Sequence, residues 1–356
     1  MAPAEDAGGV WAAQDAKPSE IEAALARLLV EQCQKSDAYA PARVLNLVVI
    51  VDRAWRGEIS NRLEAVGRYH PSRTILCSVE PGRRTIDAMA VMTTEGVAGP
   101  GQLAVCRERV QLDIGPDHLR HLDTIVDPLV VPDIATLVWA PHGHREGVDA
   151  LRGLFQVVLV DSVNEPDPVT AVARARELAE HAYVVDLAWL RSTPWRERVA
   201  STFDPLPWRE ELRKISAVTV RHHPESVLAG VLFMGWLASR LGWEPSALVA
   251  SNGSRQGRMR SRRQEVTLRL EADPAQSVPG LVGITVETAS GMTLSLDRGP
   301  GGLTARRRDA KGRESTWTLL GASRGETGIL GEGIRQALLR DPTYAPSLAA
   351  AEAMLR

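Results

Sequence analysis

The stretch RVLNLVVIV, residues 43–51, decides the reading of the N-terminal half. It is a nearly continuous run of leucine and β-branched residues. Such a run fits a strand buried on both faces, as in a parallel sheet covered by helices. Upstream, Ser19 caps a helix that places Ile21, Leu25, Leu28 and Leu29 at helical spacing. Downstream, Ala54 to Gly67 reads as a helix. Residues 73–79 and 84–94 alternate as strands do, joined by the turn Pro81-Gly82. Leu103 to Ile114 is a further strand, and Asp117 caps a helix ending near Asp127. A second rhythm follows: strand at Ile134–Ala140, helix at 146–153, strand at Phe155–Val160, helix at Pro168–Ala182, and strand at Tyr183–Leu187. Pro168 stands at its helix start, where a missing amide hydrogen costs nothing. Alternating strands and helices predict an α/β fold with a mostly parallel sheet covered by helices.

Ile215–Val220 and the apolar helix Pro224–Leu241 read as the end of this domain. The polar, basic stretch 251–263 reads as a linker or exposed loop. Runs at 264–270, 281–288, 291–297, 303–309 and 314–320, separated by Gly-rich turns, predict an antiparallel meander. Helices at 325–340 and 344–355 close the chain. The expected organisation is a mobile N-terminus (1–18), an α/β domain (19–243, with a candidate break near 128–132) and a smaller C-terminal α+β domain (251–356).

Composition narrows the functional classes. The 356 residues are 44% hydrophobic and 24% charged, with a net charge of −2. These are the proportions of a soluble globular protein, and bulk charge points to neither nucleic acid nor membrane. The longest uncharged apolar run, Val227 to Ser239, is too short to span a bilayer. The start lacks the pattern of a signal peptide, so a cytoplasmic location is expected. Cys33, Cys77 and Cys106 are scattered and imply neither a disulfide framework nor a zinc site.

No glycine-rich dinucleotide fingerprint follows any predicted strand, and no phosphate loop is present. Gly321-Ala-Ser-Arg-Gly325 has nucleophile-elbow spacing, but all eight histidines precede Ser323, whereas that chemistry supplies its histidine afterwards. His142-Gly-His144 and His222-His223 lack companion ligands, so no metal site is expected. The run Arg255, Arg258, Arg260, Arg262 and Arg263 has no interleaved aromatic residue, which disfavours nucleic-acid readout. His70, Ser72 and Arg73 stand at a helix–strand junction and form a candidate anion crevice. Neither a catalytic residue nor a cofactor is assigned.

Five of the nine tryptophans fall between Trp189 and Trp243. The densest stretch is DLAWLRSTPWRERVASTFD, residues 186–204. Trp and Arg together characterise the anchors of protein interfaces. Arg191, Pro194, Trp195, Arg196 and Arg198 are therefore the candidate partner-binding residues. Trp189 and Trp236 are assigned to the core.

With RVLNLVVIV, His70-Pro-Ser-Arg73, Val131-Pro-Asp-Ile134 and WLASRLGW at 236–243, this stretch resembles the OpcA family. The likeness runs from about residue 20 to the C-terminus. It implies a non-catalytic assembly factor and activator that binds glucose-6-phosphate dehydrogenase in the oxidative pentose phosphate pathway. Many members of the family have cysteine where Ser72 stands, a departure that weakens any thiol-based regulation at this position. The competing reading is a sugar-phosphate-binding enzyme or sensor built on the His70–Arg73 crevice.

Overall fold

The structure, a computed structural model, describes residues 9–35, 39–41, 43–67, 71–95, 104–165, 167–251, 253–262, 264–299, 301–320 and 325–356. The chain divides into two compact units, Met1–Val160 with His181–Val185, and Asp161–Glu180 with Asp186–Arg356.

The first unit is built on a nine-stranded sheet. Its strands are β1 (Val10–Ala13), β2 (Tyr39–Pro41), β3 (Leu45–Asp52), β4 (Ser72–Val79), β5 (Asp87–Glu95), β6 (Ala104–Ile114), β7 (Thr136–Trp139), β8 (Val157–Val160) and β9 (Tyr183–Asp186). Their order is β1-β5-β6-β4-β3-β7-β8-β9, with β2 beside β6. The pairs β6–β4, β4–β3, β3–β7 and β7–β8 are parallel, and β5 and β1 add an antiparallel edge. The opening stretch is the centre of this sheet: every residue from Leu45 to Val51 is buried. The one polar residue between Leu45 and Val51, Asn46, exchanges hydrogen bonds with both backbone groups of Val131 (2.9 and 3.0 Å) and donates to Thr136 Oγ1 (3.2 Å). A buried amide survives there because its partners are supplied. The same bonds place residues 128–132 inside this unit, so no break occurs there.

Residues 10–13 are not a mobile tail. They form β1, in register with β5 from Val10↔Val91 to Ala13↔Ala88. Their short run shows little periodicity, and pairing with a strand far downstream holds them.

The second unit carries a second nine-stranded sheet. Its strands are β10 (Ile215–His222), β11 (Glu244–Pro245), β12 (Val249–Ser251), β13 (Ser254–Arg260), β14 (Glu265–Ala272), β15 (Leu281–Thr288), β16 (Thr293–Gly299), β17 (Gly302–Arg308) and β18 (Glu314–Leu320). The order is β11-β13-β14-β10-β15-β16-β17-β18, with β12 beside β13. Among the described residues only β10–β14 is parallel; the other pairs of this sheet are antiparallel. The helix Val227–Leu241 is apolar on most of its surface and packs on β10 and β14 and against the helix Tyr344–Leu355. Gly235 permits that close approach: a Cβ there would meet Ser347 O at 2.3 Å.

Three expectations change here. The unit boundary lies at Val160/Asp161 and Val185/Asp186, not after Trp243, because β10 is a central strand of the second sheet. Its partners are β14 and β15, far downstream, which local periodicity does not reveal. The second unit therefore takes in residues 186–243 and is not the smaller one. Residues 251–263 are not a linker: 254–260 form β13, with Met259 buried and Arg258 and Arg260 paired to Glu265 and Glu244. The meander proper is β15 to β18, since β10 separates β14 from β15.

Candidate functional site

Residues 186–190, with Ser192, Trp195, Arg196, Val199, Thr202 and Phe203, are buried in the second unit. The helix Leu187–Arg191 is capped by Asp186, whose Oδ1 accepts from Ala188 N (3.0 Å) and from Ser162 N (3.1 Å). Tyr344 donates its hydroxyl to Asp186 Oδ2 (3.0 Å). Trp189 is buried against Tyr344 (ring centroids 5.5 Å apart) and donates Nε1–H to Asp341 Oδ2 (2.8 Å). Arg196 lies over the Trp189 ring, 3.5 Å from its centroid, and donates to Trp189 O (3.2 Å) and Thr193 Oγ1 (2.9 Å). A guanidinium stacked on an indole and satisfied at its edge keeps its charge at tolerable cost. Burial nonetheless lowers its pKa to about 10. Arg191 grips Asp161 through both terminal nitrogens (2.8 and 2.7 Å) and reaches Glu326 as well. Burial pulls the Arg191 pKa down, but these carboxylates hold it above the usual value.

Of the candidate partner-binding residues, the structure draws Trp195, Arg196 and Arg191 into the fold. Trp195 is 4% exposed and Arg196 8%, so neither side chain is available to a partner on this unit's surface. Arg191 is committed to two carboxylates. Pro194 and Arg198 are half-buried. Proximity of Trp and Arg in sequence signals a stacked, hydrogen-bonded core here, because the arginines find partners within the fold.

Asp186 supplies a pH signature. It is 1% exposed, and burial, with the charge of Asp161 second, pushes its pKa up to about 6. Its folded pKa exceeds the unfolded value, so its contribution is complete below about pH 4 and is lost as pH rises through about 6. Between pH 5 and 7 the wild type should lose stability relative to Asp186→Asn, measured by chemical denaturation. Parallel stability curves for the two proteins would show that Asp186 titrates as an ordinary carboxylate.

Two of the three anion-crevice candidates are described, and both have partners within the fold. His70 lies outside the described residues. Ser72 and Arg73 begin β4, at the amino ends of the parallel strands, whereas ligands of such sheets sit at the carboxyl ends. Ser72 Oγ is 3.2 Å from Thr74 Oγ1. Arg73 donates to Glu108 Oε2 (2.5 Å) and Leu129 O (2.9 Å), and Arg43 binds the same Glu108. Arg73 is thus already engaged within the fold.

The carboxyl edge of the first unit has another character. Taken alone, β6-β4-β3-β7-β8-β9 follows the strand order 3-2-1-4-5-6 of dinucleotide-binding folds. In those folds a glycine-rich turn after the central strand admits the pyrophosphate. Here β3 is followed by Arg53-Ala-Trp55-Arg56-Gly57, and a short 3-10 turn leads into the helix Arg56–Gly67. Trp55 stacks on His142, which follows β7, with centroids 5.2 Å apart. Asp52 ends β3 and lies 3.1 Å from His144 Nε2. Asp113, near the end of β6, holds Arg53 (2.8 Å) and Arg56 (3.2 Å). Glu80, after β4, is bound by Arg83 (2.8 Å). Arginine and tryptophan side chains thus stand in the turn after β3 where those folds have glycines. Burial lowers the pKa of both His142 and His144, which favours neutral rings. Among the described residues, no group of three or more His, Cys, Asp or Glu is placed to hold a metal.

Cys77 is buried, and burial pushes its thiol up to about 12, which makes it unreactive. The side chains of Cys33 and Cys106, and Ser323, lie outside the described residues. No described helix is long and apolar enough to cross a membrane.

A Trp–Arg cluster that the sequence reading does not single out is half-exposed. Arg307 of β17 sits 4.1 Å from the Trp208 ring centroid and 5.8 Å from that of Trp317 on β18. Register brings it together: Trp317 lies opposite Ala305, two residues from Arg307 on the same face. Trp208 stands about a hundred residues from Arg307, and only the arginine triplet 306–308 is conspicuous in the sequence.

Comparison with known proteins covers both halves. Residues 63–177 match the family described as glucose-6-phosphate dehydrogenase subunit N-terminal domain, and residues 182–348 the corresponding C-terminal domain. A putative OxPP cycle protein OpcA of Synechococcus elongatus is 26% identical over 53% of this chain and 43% of its own length. The protein of that name from Nostoc punctiforme is 29% identical over 42% of this chain and 33% of its own length. The matched region thus spans less than half of these relatives. Among solved structures, a probable oxidoreductase yhhX aligns over 86% of this chain and 94% of its own (TM-score 0.45, 11% identity). Apo scyllo-inositol dehydrogenase from Lactobacillus casei aligns over 88% and 96% (TM-score 0.44, 10% identity). At such scores these likenesses say nothing about chemistry. The two domain matches, in order along one chain and joined by the OpcA relatives, place this protein in the OpcA family of glucose-6-phosphate dehydrogenase assembly proteins.

Proposed function

We propose that this chain is a non-catalytic partner of glucose-6-phosphate dehydrogenase that binds the enzyme and favours its active state. The match of both halves to domains described as subunits of that dehydrogenase carries this reading. The turn after β3 supports it, since it carries Arg53, Trp55 and Arg56 where dinucleotide-binding folds carry glycines. A cytoplasmic location, beside the enzyme, goes with it. A binding partner shifts an enzyme between states only through different affinities for them. Tenfold activation corresponds to about 1.4 kcal/mol of such coupling.

The test uses the full chain and the dehydrogenase of its own organism. The two should co-elute in size-exclusion chromatography, and the chain alone should not turn over glucose 6-phosphate. Independent elution would remove the partner, and turnover by the chain alone would make it an enzyme.

A further inference from the structure

We propose that the β18 edge of the second sheet, with the Trp208–Arg307–Trp317 cluster beside it, docks an extended acidic segment of the partner dehydrogenase. The segment adds as a further strand. This assignment rests on the functional reading above and names the surface that would serve it.

The two ends of this sheet differ. At one end stand β11, two residues long and containing Pro245, and β12, three residues long. Short strands and proline are the ordinary protection against unwanted pairing. At the other end β18 runs for seven residues, ESTWTLL, with neither proline nor lysine. Among the described residues it pairs with β17 only. Glu314, Ser315, Thr316 and Thr318 are exposed, so the strand lies at the surface. An open strand of this length offers a ladder of backbone donors and acceptors to an extended peptide.

The side chains name the chemistry of that peptide. Arg307 stacks near two indoles and has no carboxylate partner among the described residues. Stacking uses the face of the guanidinium and leaves its in-plane N–H donors for a carboxylate. The local charge agrees. From residue 302 to 320 there are five basic residues (Arg306, Arg307, Arg308, Lys311, Arg313) and two acidic ones (Asp309, Glu314), a difference of +3 in a chain of net −2. Trp208 and Trp317 are half-buried, and Leu206, on the helix that carries Trp208, is 77% exposed. Half-exposed Trp and Arg with adjoining apolar surface have the composition of an interface centre.

The test pairs the full chain with its own organism's dehydrogenase. On mixing, backbone hydrogen exchange should slow across 314–320. Arg307→Glu and Trp317→Ser should each weaken association about tenfold or more. Arg306→Glu, the same charge change on the opposite face, should weaken it less than about threefold. Unchanged exchange at 314–320, or equal effects of Arg306→Glu and Arg307→Glu, would overturn the assignment while leaving the functional reading intact. If wild-type chain does not associate with the dehydrogenase, the functional reading fails and takes this surface with it. If Arg307→Glu instead dissolves a dimer of this chain with enzyme binding unchanged, the edge holds a second copy and the assignment is wrong. The exchange measurement uses wild-type protein, so a variant that fails to fold does not remove the test.

Discussion

Trp189→Ala is expected to lower the stability of the chain by about 4–5 kcal/mol. The size follows from the contacts of one side chain. A buried indole is lost, which alone costs about 3–5 kcal/mol. The Trp189 ring also carries the stacked Arg196 guanidinium, and its N–H satisfies Asp341. Its removal takes one contact from each of these charged groups in a partly buried place. Trp195→Ala, at 4% exposure, should destabilise in the same direction. Denaturant titration of the purified variants measures both. A loss below about 1 kcal/mol for Trp189→Ala, with weakened binding to the dehydrogenase, would return this stretch to the interface.

The second large effect is expected in the first unit. Glu108 is 1% exposed on its side chain and serves both Arg43 and Arg73, which are 19% and 13% exposed. Glu108→Gln leaves two mostly buried cations facing a neutral amide. Breaking a buried ion pair from one side typically costs about 3–5 kcal/mol. The partial exposure of the arginines should bring this toward the lower end. Glu108→Gln with Arg43→Met and Arg73→Met should recover part of the loss, because the uncompensated charges are gone. An unfolding midpoint for Glu108→Gln equal to the wild type would show that water already satisfies the two arginines.

These two sites show what sequence alone discloses. RVLNLVVIV announces a central parallel strand because burial on both faces leaves a continuous apolar run. The helix–strand alternation through Ala179 follows from local periodicity, and its elements stand close to where they are expected. What sequence hides is pairing across distance. The strand 215–222 looks like the end of one domain, yet it is the centre of the next sheet. The basic stretch 254–260 looks like a loop because its outward positions are arginines paired to Glu244 and Glu265.

The site residues follow the same logic. The stretch 186–204 carries much of the resemblance read from sequence, but composition cannot tell a Trp–Arg interface from a Trp–Arg core. The deciding facts are Asp161, Glu326, Asp341 and Tyr344, all outside that stretch. Arg73 resembles an anion ligand until Glu108 is seen beside it. The Trp208–Arg307–Trp317 cluster is assembled from a helix and two strands distant from it in sequence, so no local motif announces it.

The central claim is that this chain acts on glucose-6-phosphate dehydrogenase as a partner. Its most direct test is the initial rate of that enzyme, from the same organism, at subsaturating substrate with increasing amounts of this chain. The account predicts a saturable rise in rate, with a plateau at a fixed stoichiometry and no rate from the chain alone. A rate that stays flat through a large molar excess would contradict it.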